Sequence, residues 1–404
     1  MSLKRYFYIY FASVLLVASL LAAFNVIIDP YLMFYSERIP NFNDKKPASV
    51  NRTQLFKPYN VTRIAPQTIV VGNSRPEMGV DPLSTCWQSK HGKVYSLTFP
   101  GLSAYEQIRA LFHGVASGQV DHVLLGLDFA DVLYQRNRRL ESEVWPSKSS
   151  EFLERLLVDE YFKKNKGFIK AKLVDTFMVM FSLDALFDSI YTLASQSENA
   201  PNRTQLGFNP AQDYIDIVRH EGEWVLFAQK LVELESRFSK AGMGIFDTAE
   251  RWSVELEGLK RTIGLAKQQG FQLKIFINPY HFTYLESIRN AGYWDEFEDF
   301  KRSLLKLIIE FGDEQIELWD FSLYSQYTVS QVPKKGDVGL MQWFWEPAHY
   351  KAELGNVMLA EMFEKNCIPE KHLMPLGIRL NDVEIEDHLA NQIKVRDHLI
   401  KRIN

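Results

Sequence analysis

The chain has 404 residues, 46% of them hydrophobic and 24% charged, with a formal net charge of −4. That length holds one large domain or two small ones, and the apolar share suits an ordinary buried core. The negative balance argues against a nucleic-acid partner, and basic clusters such as Arg136, Arg138 and Arg139 are too small to reverse it.

From Phe7 to Ile28 no residue is charged, and Lys4 and Arg5 lie just before. At about 1.5 Å per residue this run is long enough for a bilayer core of about 30 Å. The basic flank keeps the N-terminus cytoplasmic and sends the rest across. Ala18, Ala22 and Ala23 offer the small residues of a cleavable signal peptide. Such a peptide has an apolar core of only about 7–15 residues, so an uncleaved anchor over residues 1–28 is the favoured reading. Residues 29–66 read as a membrane-proximal linker.

Alternating strand and helix signals begin at residue 67. Thr68 to Val71 is an apolar run that stops at Gly72 and reads as a buried strand. Asp81-Pro82 resembles an N-cap with proline at the first helical position. A second strand spans 93–99, and Ser103 to Glu106 forms a capping box. The helix it opens carries Ile108, Leu111, Phe112 and Val115 on one face. A third strand spans 123–128. Strand, helix, strand, helix, strand implies a parallel sheet.

Residues 135–245 break this rhythm and read as a helical insertion covering the sheet. Within it, 177–193 is apolar but includes Asp184 and Asp188, which argues against a second membrane span. The alternation resumes with a capping box at Asp247 to Glu250 and a helix with Trp252, Leu256, Leu259, Ile263 and Ala266 on one face. Strands at 273–277 and 316–320 follow, separated by one long helix ending near Phe311. A last helix starts near Tyr350, and residues 368–404 form a charged, weakly amphipathic tail. Cys86 and Cys367 are the only cysteines. In an exported body they can form one disulfide; two unpaired thiols is the alternative.

The chemistry concentrates at two places. Ser74 stands two residues past the break at Gly72, at the carboxyl end of a predicted strand, where open α/β sheets place ligands. Glu346 lies three residues before His349. A serine needs a base, and a histidine acts best when a carboxylate orients it. Ser74 is therefore the candidate nucleophile, His349 the base and Glu346 its orienting acid. The bland readings are a turn serine that caps a helix and an exposed pair at helical spacing. Backbone N–H groups of Ser74 and Gly101 are candidate oxyanion donors. Arg75 has two readings, steering an anionic substrate or tying down the turn. GNSRP lacks the second glycine of a G-x-S-x-G elbow, and no Walker loop, G-x-G-x-x-G or HExxH is present.

Gly72-Asn73-Ser74, Gly101 and Glu346-Pro-Ala-His349 resemble the first, second and last blocks of the SGNH/GDSL hydrolase superfamily, with Glu for the usual Asp. The resemblance covers roughly 67–134 and 247–365. It implies a three-layer α/β/α, flavodoxin-like domain over 67–367 with a mainly parallel sheet. The anchor followed by Asp29-Pro30-Tyr31 looks like membrane-anchored SGNH-like proteins of bacterial envelopes. By that likeness the chain is a serine esterase or O-acyltransferase of a cell-surface polysaccharide, periplasmic and needing no cofactor. A membrane-bound acyl-donor protein is an implied partner. The family's third block offers an asparagine to the oxyanion, but Asp128 stands there. Either the hole has two donors, or Asp128 or Asn278 completes it. The alternative function is a non-catalytic glycan-binding or assembly protein.

Overall fold

A computed structural model of the chain describes residues 3–135, 150–246, 251–337, 339, 341–368 and 375–403. The basic cluster at 136–139 and the capping box at 247–250 lie outside the described residues. The centre of the fold is a six-stranded sheet. Its strands are β1 (Thr68–Gly72), β2 (Val94–Thr98), β3 (His122–Leu127), β6 (Gln272–Ile277), β7 (Ile316–Asp320) and β10 (Ile378–Arg379), in the order β10-β7-β6-β3-β1-β2. Four two- or three-residue strands complete the numbering: β4 (Tyr134–Gln135), β5 (Met243–Gly244), β8 (Phe344–Glu346) and β9 (His349–Tyr350). All sheet neighbours are parallel except β10, which runs antiparallel to β7.

The apolar strand runs are explained by burial on both faces. Ile69, Val71, Val123, Leu125, Leu273 and Ile275 join one core, while Val70, Leu124 and Phe276, the alternate residues, join the other. Helices Ala104–Ala116, Val254–Gln269 and Trp294–Phe311 supply the first core with Leu111, Ile263 and Leu304. Helix Ala352–Met362 supplies the second with Leu354, Val357 and Met358. The Ser103–Glu106 capping box forms as expected, with the Ser103 hydroxyl accepting from the Glu106 N–H.

Several expectations need correction. Asp81-Pro82 starts no helix; the Asp81 carboxylate accepts the Leu83 N–H at 2.8 Å and closes a turn. The helix lies just upstream, at Ser74–Gly79. The stretch after Asn278 is two helices, Phe282–Asn290 and Trp294–Phe311, with Gly292 between them at φ 81°. Trp252 is exposed and precedes its helix, which Ser253 caps. Segment 29–66 contains helix Thr53–Ile64, which buries Phe56, Lys57, Tyr59 and Val61 despite an internal Pro58. The tail provides β10 and helix Ile385–Ile403. In the insertion, described helices run from Ser150–Glu154 through Phe168–Phe181, Leu183–Ala194, Gln212–Glu221 and Glu223–Phe238. The N-terminal helix Leu3–Ile28 is long and apolar enough to span a membrane.

Candidate active site

The chain reverses direction in the sheet between β1 and β3: β2 lies on one side of β1, and β3 on the other. Ligand sites in such sheets lie at the carboxyl ends of the strands near this point. Ser74 follows β1, Asp128 follows β3 and Asn278 follows β6. The turn after β1 is tight. A Cβ on Gly72 would stand 2.6 Å from the Pro76 ring and 3.0 Å from the Gly126 carbonyl oxygen. Only glycine fits there.

Asn73, not Ser74, caps the helix that follows: its side-chain oxygen accepts the Arg75 N–H at 2.9 Å. The Ser74 hydroxyl is therefore spared from capping. It meets His349 Nε2 at 2.7 Å. His349 Nδ1 faces Glu346 Oε1 in a close hydrogen-bonded contact, and the other Glu346 oxygen accepts the Ala348 N–H at 2.8 Å. This fixes the tautomer by geometry: Nδ1–H donates to Glu346, leaving Nε2 to accept from the serine. Glu346 is 1% exposed and His349 8%, whereas Ser74 is half-buried. Burial alone would raise the Glu346 carboxyl, but the charge and hydrogen bond of His349 outweigh it and hold the group below the usual range.

His349 does not open a helix, as its sequence context suggested. It starts β9, which pairs antiparallel with β8 so that Glu346 and His349 are cross-strand partners. Their three-residue spacing is therefore a tight hairpin, with the pair buried, and not helical spacing on a surface. Two glycines press this unit against the serine. A Cβ on Gly79 would lie 1.9 Å from the Tyr350 ring, and one on Gly355 would lie 1.7 Å from the Gly79 carbonyl oxygen. The Cys86–Cys367 disulfide, with Cα atoms 5.2 Å apart, ties the chain after Ser74–Gly79 to the chain after Ala352–Met362.

The remaining predicted residues have structural partners. Arg75 is 8% exposed and pairs with Asp128. Its guanidinium carbon lies 5.4 Å from the Tyr280 ring centre and 5.5 Å from that of Tyr284, two rings that stack on each other. This geometry fits the tying role of the two open for Arg75. Asp128 also accepts the Ala130 N–H at 2.9 Å. Asn278 donates its amide to the Leu127 carbonyl at 2.8 Å and accepts the Tyr350 hydroxyl at 3.1 Å. Gly101 is exposed in the turn after β2, at φ 76°. The Ser74 N–H sits at the first position of a helix, where no carbonyl four residues back is available to it.

Sequence reasoning did not find two neighbours. Tyr214, from insertion helix Gln212–Glu221, has its ring 6.0 Å from His349 and 6.2 Å from Trp345. No spacing rule links a residue in the insertion to one near the C-terminal end of the sheet. Asp131 takes hydrogen bonds from Asn73 Nδ2 and Gln107 Nε2, each at 2.8 Å, and so braces the cap. Burial, with the Asp128 charge beside it, pushes the Asp131 carboxyl up to about 6. Asp131 lies in the short helix Phe129–Val132, four residues past the end of β3. A separate cavity of about 520 Å³, bordered by Arg52, Arg155, Ser182 and Pro100, includes none of Ser74, Glu346 and His349.

A hydroxyl, an imidazole and a buried carboxylate in this sequence of contacts are the parts of nucleophilic catalysis. No protein-family model matches this chain, and no curated protein matches it in sequence.

Proposed function

We propose that the protein is a membrane-anchored, SGNH-like serine esterase or O-acyltransferase. Its substrate would be an ester on an envelope polysaccharide, outside the cytoplasmic membrane. The observation that carries this reading is the Ser74–His349 contact of 2.7 Å with Glu346 behind the imidazole. Ser74 gives its proton to His349 Nε2 as its oxygen attacks the acyl carbon. The Ser74 N–H, at the first position of its helix, is one candidate oxyanion donor, and Gly101 is a second. His349 then returns the proton to the departing alcohol as the tetrahedral intermediate collapses to an acyl-serine. Water or a sugar hydroxyl attacks that acyl group, giving hydrolysis or transfer. Glu346 holds the ring and stabilises its charged form.

One observation favours the non-catalytic alternative, glycan binding or assembly. Asp128 stands where the resembled family uses an asparagine donor, and both Asp128 and Asn278 are engaged elsewhere. The test is release of small acyl esters, with glycan acylation followed in cells, for Ser74→Ala, His349→Ala and the double variant. Loss of about 10⁴-fold or more in each single, with little more in the double, is expected of groups acting as a unit. Wild-type glycan acylation in Ser74→Ala would transfer the case to the binding protein. Inert small esters with lost cellular acylation would identify a transferase supplied by a membrane-bound donor.

A further inference from the structure

The N-terminal helix is exposed from Leu3 to Val17, and contact with the body begins at Ala18. A span that starts after Lys4 and Arg5 has only Tyr6–Val17 outside the body, roughly 18 Å at 1.5 Å per residue. A hydrocarbon core of about 30 Å needs about eight residues more, which places its far boundary near Asn25. Part of the body must then lie beside the helix inside that core.

The part that does so is the helical hairpin Phe168–Phe181 and Leu183–Ala194. Asn25 donates to the Met180 carbonyl at 3.1 Å and accepts the Ser189 hydroxyl at 2.9 Å, at the level where the core would end. The hairpin's outward side is apolar. Ile169, Leu173 and Phe177 recur at helical spacing, as do Leu183, Phe187 and Ile190, and each is at least half exposed. Two of its three acids are turned toward the body: Asp175 pairs with Arg155 at 2.7 Å and accepts the Tyr59 hydroxyl, and Asp188 accepts the Tyr31 hydroxyl. Asp184, exposed near the hairpin turn, borders the cavity that contains Arg52. Exposed Lys163, Lys164, Lys166, Lys170 and Lys172 crowd the start of the first helix, with no acid among residues 163–172. An apolar face beside a lysine cluster is the pattern of a helix lying in an anionic membrane surface. The two helices, of 14 and 12 residues, are roughly 21 and 18 Å long, too short to cross.

We infer that hairpin 168–194 is seated in the lipid leaflet around the far end of the Leu3–Ile28 helix, with the 163–172 lysines on anionic headgroups. This rests on reading Leu3–Ile28 as a membrane span. The body is then held at two points, and cannot swivel about a single tether.

The test uses the full chain in nanodiscs of phosphatidylethanolamine and phosphatidylglycerol. Single nitroxide labels are placed at Leu15→Cys, Phe177→Cys, Phe187→Cys and, as an aqueous reference, Ile309→Cys. Both native cysteines are in the disulfide and take no label. Relaxation by oxygen, which concentrates in lipid, is compared with relaxation by a water-soluble nickel chelate. The oxygen-to-nickel ratio is expected to be several-fold higher at 177 and 187 than at 309. In phosphatidylcholine discs the ratio at 177 should fall. Water-like ratios at 177 and 187 with a lipid-like ratio at 15 would overturn the hairpin inference alone. A water-like ratio at 15 would overturn the span and the inference with it. Low accessibility to both reagents at 177 and 187 would mean that a protein surface covers the face, and would also refute it. An unchanged ratio at 177 in neutral lipid would remove the role of the lysines.

Discussion

Replacing Gly355 with alanine tests whether backbone contact sets the serine–histidine distance. The new Cβ would sit 1.7 Å from the Gly79 carbonyl oxygen, whereas real Cβ contacts essentially never fall below 3.0 Å. Helices Ser74–Gly79 and Ala352–Met362 must therefore part by at least the difference, 1.3 Å. Gly79 belongs to the helix that Ser74 opens, and Gly355 to the helix two residues past β9. A displacement of that size is enough to break a 2.7 Å hydrogen bond. Two losses follow. Forced overpacking costs about 1–3 kcal/mol of stability, occasionally more. Misplacing a reacting group by about 1 Å costs roughly 10²-fold in rate. The assays are urea unfolding and the rate at which a fluorophosphonate labels Ser74. The control is Gly264→Ala, within helix Val254–Gln269, where a Cβ meets nothing within 4 Å. That change should stabilise by about 0.5–1 kcal/mol, since alanine is the better helix former. If Gly355→Ala matches wild type in both midpoint and labelling rate, the idea that glycine contact positions the pair is refuted.

Buried neutral histidines should make the fold acid-sensitive. His113 accepts the Leu157 N–H at 2.9 Å through Nδ1, so Nε2–H donates to the Pro58 carbonyl at 2.8 Å, and burial pushes the ring from its ordinary 6.5 down to about 4. Its stabilisation is complete above 6.5 and is lost as pH falls to about 4; at about 1.4 kcal/mol per pH unit the full loss is about 3 kcal/mol. His113→Gln, which keeps a donor and an acceptor, should flatten that part of the urea-midpoint profile; an unchanged slope would count against the assignment. Lys57→Met should cost about 3–5 kcal/mol, because it strips a fully buried partner 2.8 Å from Glu77 and leaves only Arg203 beside that carboxylate; a loss below 1 kcal/mol in urea unfolding would contradict this. For topology, a phosphatase fused after the C-terminus should be active outside the cytoplasm, and denatured, unreduced protein should take up no thiol label. Cytoplasm-only reporter activity would reverse the orientation, and two labelled thiols would deny the disulfide.

The sheet was readable because β1 and β3 are apolar runs, β6 keeps Leu273, Ile275 and Ile277 on one face, and each is bounded by turn residues. The Ser103–Glu106 box was readable because capping is local chemistry. What escaped depends on contacts distant in sequence. Strand β10 is two residues long and exists only because β7 offers it an edge. Helix Thr53–Ile64 hides behind an internal proline and a lysine, and that lysine is buried only because Glu77 and the Thr98 carbonyl meet it. Asp81-Pro82 carried a helix-start signal, but the helix had already been taken up at Ser74, where Asn73 supplies a better-placed cap. Within the site, residue types in order pointed to Ser74, Glu346 and His349. Their arrangement, with the acid and histidine across a hairpin, was not legible from a three-residue spacing that a helix shares. Arg75 could not be placed between its two readings until Asp128 was seen beside it.

Ser74 and His349 are 275 positions apart in the chain, and the disulfide that braces their elements closes 281. The consequence concerns the order of synthesis. Strands β1, β2 and β3 can pair once the first third of the chain is out, so the serine can be presented early on a nearly complete half-sheet. The imidazole arrives only after residue 349 has been made and β8 and β9 have folded back onto Gly79. Until then a growing chain carries the Ser74 hydroxyl without its imidazole partner. Long-range closure of this kind is slow to form, and here slowness is a form of timing: the serine–imidazole contact closes late, together with the second core, to which Phe344, Tyr350, Leu354 and Val357 belong.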